Sequence, residues 1–147
     1  MPSKPRILFL CVHNSARSQI AEGLLRALAG ERVEVYSAGS DPTSVHPFAL
    51  RVLQDEGIDA SRQRSKSVDE FVNQRFDYVI TLCAEEVCPV FPGAATRLHW
   101  ELRDPAAIEG STDEKLEAFR QTVSDLKERL TPFIRETLHN RDETVVG

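Results

Sequence analysis

A short, largely apolar segment near the start of the chain, residues 6–10, constrains the fold most, because a polar loop and an amphipathic helix follow it at once. The segment shows no alternation, which is typical of a strand buried on both faces of a parallel sheet. Residues 18–29 carry apolar side chains at helical spacing, and Gly30 is a typical residue at a helix end. A strand joined to a helix in this way favours an α/β fold with right-handed crossover connections.

The rest of the chain continues this alternation of strands and helices. Further strands are predicted at residues 33–37, 78–82 and 97–100, a helix from Pro47 to about Glu56, and a short helical stretch at 68–73. Ligands of such sheets bind beyond the carboxyl ends of the strands. The side chains that follow each predicted strand are therefore the candidates for a functional site.

A long amphipathic helix is predicted from Ser111, where Ser111 and Glu114 form a capping-box pattern. Pro132 lies inside it and is expected to kink or divide the helix, because proline has no backbone N–H to donate. Residues 140–147 are expected to form a frayed tail. With 147 residues, the chain is predicted to be a single domain, 1–147.

Charge and composition exclude several classes of function. Lysine and arginine number 18 against 23 acidic residues, and the net charge of −5 argues against a nucleic-acid partner. The longest apolar run, residues 7–12, is too short for a membrane span or for the apolar part of a signal peptide. Three cysteines are an odd number, which suits a reducing compartment, so we expect a cytoplasmic protein with free thiols and no membrane partner.

The loop after the first strand has the composition of an oxyanion site, with five residues between Cys11 and Arg17. Its backbone N–H groups and the positive end of the following helix favour a tetrahedral anion, which Arg17 can clamp with two hydrogen bonds. Asn14 tolerates the left-handed backbone conformation that such a loop requires. The residues predicted to bind the oxyanion are Val12, His13, Asn14, Ser15, Ala16, Arg17 and Ser18.

Cys11 is the predicted nucleophile, because these groups favour its thiolate and the hydroxyls of Ser15 and Ser18 can donate to the sulfur. A cysteine near a strand end can also be a small buried apolar residue, and Ser18 can be a simple helix cap. The strand, the C-x5-R-S spacing and the helix together favour the anion site.

Cys83 and Asp104 follow the third and fourth predicted strands and are expected to meet Cys11 at one edge of the sheet. Asp104 can protonate an oxygen that leaves the substrate, or it can begin a turn before Pro105.

Cys83 and Cys88 are compatible with a zinc site, a disulfide or two inert thiols. Zinc needs two further ligands and His99 is the only nearby histidine, so no metal site is predicted. In a helix their Cα atoms would be roughly 8–9 Å apart, beyond the roughly 7 Å that a disulfide allows, so pairing requires a loop.

Together these motifs resemble the thioredoxin-coupled arsenate reductases, which share the fold of the low-molecular-weight protein tyrosine phosphatases. The markers are the segment 11–23, Tyr-Ser-Ala-Gly at 36–39, Val-Ile-Thr-Leu-Cys at 79–83, Cys-Pro at 88–89, and His-Trp at 99–100 before Asp104 and Pro105. The resemblance implies a three-layer α/β sandwich, with four parallel strands in the order 2-1-3-4 and helices on both faces. No cofactor is expected.

The resemblance also implies a relay of three cysteines that converts arsenate to arsenite and so detoxifies arsenic. Cys11 attacks arsenate while Asp104 assists the loss of an oxygen, and Cys83 then attacks Cys11 and releases arsenite. Cys88 next attacks Cys83, and thioredoxin reduces the resulting Cys83–Cys88 disulfide. Some members of the family have a longer gap between their second and third cysteines, which leaves glutaredoxin with glutathione as an alternative reductant.

Some members of the family bind potassium near the oxyanion loop. Asn14, Glu22 and Ser37 match positions associated with that site, whereas Lys66 lies near the place where an acidic ligand is expected. The ammonium group of Lys66 is therefore expected to take the place of the cation, and no potassium requirement is predicted.

Two other functions share parts of this pattern. A phosphatase would use the same nucleophile, arginine and acid, but it has no need of Cys83 or Cys88. Phosphatases also commonly place aromatic residues after the Asp-Pro, where this chain has Ala-Ala-Ile at 106–108. Weak phosphatase side activity is nevertheless expected. A thiol-based arsenite or metal sensor would need a DNA-binding element or a signalling partner, for which the acidic charge gives no support.

Overall fold

The computed structural model describes residues 4–84 and 87–146, and the side chains of the last helix as far as Leu138. Its centre is a sheet of four parallel strands: β1 (Arg6–Cys11), β2 (Glu34–Gly39), β3 (Tyr78–Thr81) and β4 (Thr96–His99). The strand order is β2-β1-β3-β4, which confirms the predicted order 2-1-3-4. Because β1 pairs on both edges, its carboxyl end lies between those of β2 and β3.

Helices connect these strands in the described part of the chain. The α-helices are α1 (Arg17–Ala29), α2 (Pro47–Asp55) and α3 (Thr112–Val146), and short 3₁₀ helices cover Gly30–Arg32, Val68–Phe71 and Pro105–Ala107. Most predicted bounds lie within one residue of the observed ones. β2 runs two residues further than predicted because Gly39 still pairs with Cys11 of β1.

The sheet has a hydrophobic cluster on each face. On one face Ile7, Phe9 and Ile80 are fully buried and share a cluster with apolar residues of all three α-helices. On the opposite face Leu8 and Leu10 pack against a 3₁₀ helix and against loop side chains. The aromatic residues of this second cover are Phe71, Phe76 and Phe91. The predicted three-layer α/β sandwich is therefore confirmed, with a second outer layer built from a 3₁₀ helix and loops.

Pro132 does not divide α3, although division was one of its two predicted effects. The helix is continuous over Thr112–Val146. Pro132 and Glu128 are both exposed, so the Glu128 carbonyl that lacks its usual N–H partner can bind water. The predicted capping box is present, since the N–H of Glu114 donates to Ser111 Oγ over 3.1 Å and the N–H of Ser111 donates to Glu114 Oε1 over 3.3 Å.

The predicted frayed tail, 140–147, falls on residues whose side chains lie outside the described part, and helical backbone extends to Val146. None of the helices in the described ranges combines the length and the apolar character that crossing a membrane requires.

Candidate active site

The loop between β1 and α1 turns sharply at Asn14. Cys11 is the last residue of β1 and Arg17 is the first of α1, so the loop contains five residues. Asn14 has φ of 49° and is the non-glycine residue with positive φ in the described chain. Asparagine adopts this conformation at lower cost than most residues, which is why it fits here. The sequence prediction for Asn14 agrees with this backbone.

A second segment, residues 41–46, runs along the outside of this loop, and we call it the strap. The N–H groups of Asp41, Thr43 and His46 donate to the carbonyls of Val12, His13 and Ser15, over 2.8, 3.3 and 3.0 Å respectively. In a trans peptide the C=O and the next N–H point in opposite directions. The N–H groups that follow these three carbonyls therefore point away from the strap, as a nest for an anion requires.

The sulfur of Cys11 is buried and has a hydroxyl partner. Its Sγ lies 2.8 Å from Ser18 Oγ, and the residue is 2% exposed. The amide of Asn14 donates to Ser18 Oγ over 2.7 Å and to Ser37 Oγ over 2.9 Å. Because Ser18 Oγ already accepts a hydrogen bond, its own proton is available for the sulfur. The hydroxyl of Ser18 therefore fixes the position of the sulfur at the base of the loop.

A buried ion pair lies behind this hydrogen-bond network. The hydroxyl of Ser37 donates to Glu22 Oε1 over 2.6 Å, and Lys66 Nζ lies 3.5 Å from the same oxygen. The backbone N–H of Lys66 donates to Asn14 Oδ1 over 2.8 Å. Burial lowers the pKa of Lys66, and the Glu22 carboxylate opposes that shift. The network therefore connects Cys11 to a lysine ammonium through Ser18, Asn14, Ser37 and Glu22.

Arg17 and Asp104 lie close enough to each other to form an ion pair. Arg17 Nη1 donates to the carbonyl of Leu102 over 3.1 Å, and Arg17 Nη2 lies 3.9 Å from Asp104 Oδ2. The other carboxylate oxygen, Asp104 Oδ1, accepts from the N–H of Ala106 over 2.9 Å at the start of a 3₁₀ helix. Oδ1 is therefore held as a helix cap, whereas Oδ2 is the oxygen that faces Arg17.

The predicted site residues of the oxyanion loop and Asp104 lie around a cavity of about 110 Å³. The cavity is lined by Cys11, His13, Ser15, Ala16, Arg17, Thr43, Asp104 and Ala106. Asn14 and Ser18 are fully buried and support the sulfur from behind. Val12 contributes its carbonyl to the strap. The structure thus brings Cys11, Arg17 and Asp104 together in one cavity.

Cys83 and Cys88 form a disulfide with Cα atoms 5.6 Å apart. The described residues on both sides of it are irregular rather than helical, as pairing at this spacing requires. Beyond β3, the N–H of Leu82 donates to the carbonyl of Leu10 over 3.0 Å. By this register Leu82 lies beside Cys11, and Cys83 is the next residue beyond it, although neither disulfide cysteine lines the 110 Å³ cavity. Cys83 is 1% exposed, whereas Cys88 is partly exposed.

Sequence reasoning missed His46 and the rest of the strap. The ring of His46 packs on Phe119, with centroids 4.7 Å apart, and its Nδ1 accepts from the N–H of Phe48 over 3.0 Å. Burial lowers the pKa of His46, and the charge of Asp104 opposes this shift. The available signal was the position of His46 directly before Pro47, which is typical of a helix cap.

Comparisons with known proteins agree with this geometry. A family model described as low molecular weight phosphotyrosine protein phosphatase matches residues 6–143. The chain is 41% identical over 133 residues to an arsenate reductase from Halalkalibacterium halodurans, covering 89% of this chain and 96% of that protein. It resembles a solved arsenate reductase in the phosphate-binding state, with a TM-score of 0.77 and 32% identity over 90% of this chain and 98% of the other. A thioredoxin-dependent arsenate reductase from Corynebacterium glutamicum gives a TM-score of 0.62 and 39% identity, covering 86% of this chain and 62% of that one.

Proposed function

This chain belongs to the low molecular weight phosphotyrosine protein phosphatase family and, within it, to the arsenate reductases, and we propose that it reduces arsenate to arsenite through three cysteines. The observation that carries this proposal is the Cys83–Cys88 disulfide, which follows β3 directly beside the strand that ends in Cys11. A phosphatase needs the oxyanion loop but not the disulfide. Arsenic detoxification is the physiological role that this activity suggests.

The first step is attack by the Cys11 thiolate on arsenic. The loop N–H groups and Arg17 stabilise the charge of the anion, and Asp104 Oδ2 donates a proton so that one oxygen leaves as water. The product is a covalent adduct with a sulfur–arsenic bond at Cys11. The shared cavity of Cys11, Arg17 and Asp104 supports these roles, as does the position of Oδ2 near Arg17 while Oδ1 caps the 3₁₀ helix.

The second step transfers two electrons to arsenic. The Cys83 thiolate attacks Cys11 Sγ, a sulfur–sulfur bond forms, and the electron pair of the sulfur–arsenic bond stays on arsenic, which leaves as arsenite. Cys88 then attacks Cys83 Sγ and displaces the Cys11 thiolate. The disulfide that remains is the Cys83–Cys88 bond of this structure.

Thioredoxin is the proposed reductant of this disulfide. The proposal is supported by the similarity to a thioredoxin-dependent arsenate reductase and by the partial exposure of Cys88. Glutaredoxin with glutathione is the alternative. Because the cycle begins with three reduced thiols, a reducing compartment such as the cytoplasm is the proposed location.

Turnover of arsenate by thioredoxin, thioredoxin reductase and NADPH tests the function. We expect arsenate-dependent NADPH oxidation, and mass spectrometry of the trapped oxidised protein should find the Cys83–Cys88 bridge. The variant Cys88→Ser should stop after one turnover with a Cys11–Cys83 bridge. Phosphate release from an aryl phosphate without any arsenate-dependent oxidation would refute the proposal. Replacing thioredoxin by glutaredoxin and glutathione in the same assay identifies the reductant.

A further inference from the structure

The mouth of the anion cavity is formed by side chains that supply none of the predicted catalytic groups. Of the residues that line the cavity, Cys11, Arg17 and Asp104 carry the chemistry. Of the other lining residues, His13, Thr43 and Ala106 are the exposed ones, and His13 has the largest side chain of these three. The width of the opening therefore depends most on where the imidazole of His13 lies.

The strap holds the ring of His13 in place. His13 Nδ1 lies 3.0 Å from the carbonyl oxygen of Asp41. A carbonyl can only accept, so Nδ1 carries the proton and donates. The Asp41 carboxylate lies 3.6 Å from the same nitrogen. The backbone of His13 is held too, since its carbonyl accepts from the Ser65 hydroxyl over 2.9 Å.

The space inside this mouth suits a small anion. A cavity of about 110 Å³ lies well below the roughly 300–1,000 Å³ of sites that enclose drug-sized ligands. A tetrahedral oxyanion has five bonded heavy atoms and can be enclosed here. An ester of that anion must extend its organic group outward, past His13, Thr43 and Ala106.

We propose that His13 is a specificity-determining residue whose ring narrows the mouth of the cavity, so that free arsenate enters readily and aryl phosphate monoesters enter poorly. The proposal deepens the proposed function, because it explains how a site with phosphatase chemistry is reserved for an inorganic anion. It assigns to the side chain of His13 a role separate from that of its backbone N–H.

The test compares arsenate reduction with hydrolysis of p-nitrophenyl phosphate in three variants. His13→Ala removes the ring, His13→Gln keeps most of its length, and His99→Ala removes an exposed histidine outside the cavity. In His13→Ala we expect kcat/KM for p-nitrophenyl phosphate to rise by about 10-fold or more, the size of effect that steric selection commonly gives. The ratio of aryl phosphate to arsenate activity should stay near the wild-type value in His13→Gln and His99→Ala.

A His13→Ala value for p-nitrophenyl phosphate within about threefold of wild type would overturn the proposal, being too small for steric selection. Equal gains in His13→Ala and His13→Gln would also overturn it, because bulk would then not be the cause. Aryl phosphate hydrolysis requires neither Cys83 nor Cys88. A wild-type protein that fails to reduce arsenate would therefore refute the proposed function, and the effect of His13→Ala on p-nitrophenyl phosphate hydrolysis could still be measured.

Discussion

At the scale of single residues, we expect Arg17 and the sulfur of Cys11 to contribute to different parts of the reaction. The sulfur has its own partner in Ser18, whereas the guanidinium of Arg17 lies across the cavity near Asp104. We predict that Arg17→Ala lowers arsenate turnover by roughly 100- to 1000-fold, as expected for loss of a preorganised oxyanion donor. Labelling of Cys11 by the neutral reagent iodoacetamide, measured by peptide mass spectrometry, should fall much less. Equal losses in both measurements would contradict this separation of roles.

A second prediction for a single residue concerns Lys66, whose ammonium group lies within the network that supports Asn14. With Lys66 Nζ 3.5 Å from Glu22 Oε1, the carboxylate already has a cationic neighbour. We therefore predict that arsenate turnover is the same in potassium and in sodium salts at equal ionic strength. The measurement is the initial rate across a series in which sodium replaces potassium. A strong rise with potassium would show that a cation site exists beside Lys66.

His46 gives a prediction about pH. Burial lowers the pKa of His46, so the folded protein favours the neutral ring. In the unfolded chain the histidine has a pKa of about 6.5. Near and below this pH the unfolded chain binds more protons than the folded protein, so the free energy of unfolding must fall as the pH drops. His46→Asn keeps an oxygen for the cap but removes the titration. Thermal unfolding between pH 8 and pH 5 should show a steeper loss for wild type than for His46→Asn, and parallel curves would contradict the prediction.

At the scale of elements, Gly39 determines how closely β2 approaches the oxyanion loop. A Cβ atom at this position would lie 2.3 Å from the carbonyl oxygen of Val12 and 2.9 Å from the backbone nitrogen of Asn14. Both neighbours are backbone atoms, so the loop itself must move. We predict that Gly39→Ala lowers kcat/KM for arsenate by about 100-fold, the cost of a displacement of about 1 Å in an active site.

Gly57→Ala is the matched control for this substitution. Gly57 has a positive φ of 79°, which Gly39 does not, but a Cβ at Gly57 meets no atom within 4 Å. It should lower the free energy of unfolding by about 1 kcal/mol through backbone strain and leave arsenate turnover unchanged. If both variants lose activity in proportion to stability, the close approach at Gly39 is not the cause.

The strands and most of the site could be predicted at this scale, because each depends on local sequence. Each prediction rests on a pattern of a few neighbouring residues: the apolar run at 6–10, the C-x5-R-S spacing and the cysteine spacing. The strap could not be predicted in this way. Its hydrogen bonds run from backbone N–H groups to carbonyls about 30 residues away. Every residue except proline has both of these backbone groups, so the amino-acid sequence does not indicate which of them pair. For Pro132 the sequence predicted a disruption of the helix that can include its division, and the helix is not divided. The reason is that an exposed position tolerates a missing hydrogen bond that a buried one would not.

At the scale of the whole molecule, the disulfide adds a covalent link to a fold that is held by two hydrophobic clusters. Neither cluster contains Cys83 or Cys88, and the two cysteines are only five positions apart. Closing so short a loop stabilises a protein by about 2 kcal/mol on the chain-entropy account. We predict that reduction lowers the melting temperature by about 4–8 °C and leaves one cooperative transition. Calorimetry of both forms, with the reductant-insensitive Cys83→Ser/Cys88→Ser variant as control, measures this, and a reduced form unfolded at room temperature would contradict it.

The oxidised protein exposes its disulfide at Cys88, which is partly exposed, rather than at Cys83, which is 1% exposed. Arsenite has already departed when the last disulfide forms, and the anion cavity is empty again. Each oxidised molecule therefore carries one disulfide, equivalent to two electrons, until a reductant reduces it. That reductant does not need to contact arsenic. When reductant is scarce, the cell would accumulate this oxidised form. The supply of reductant, rather than the uptake of arsenate, would then limit how fast arsenate is cleared.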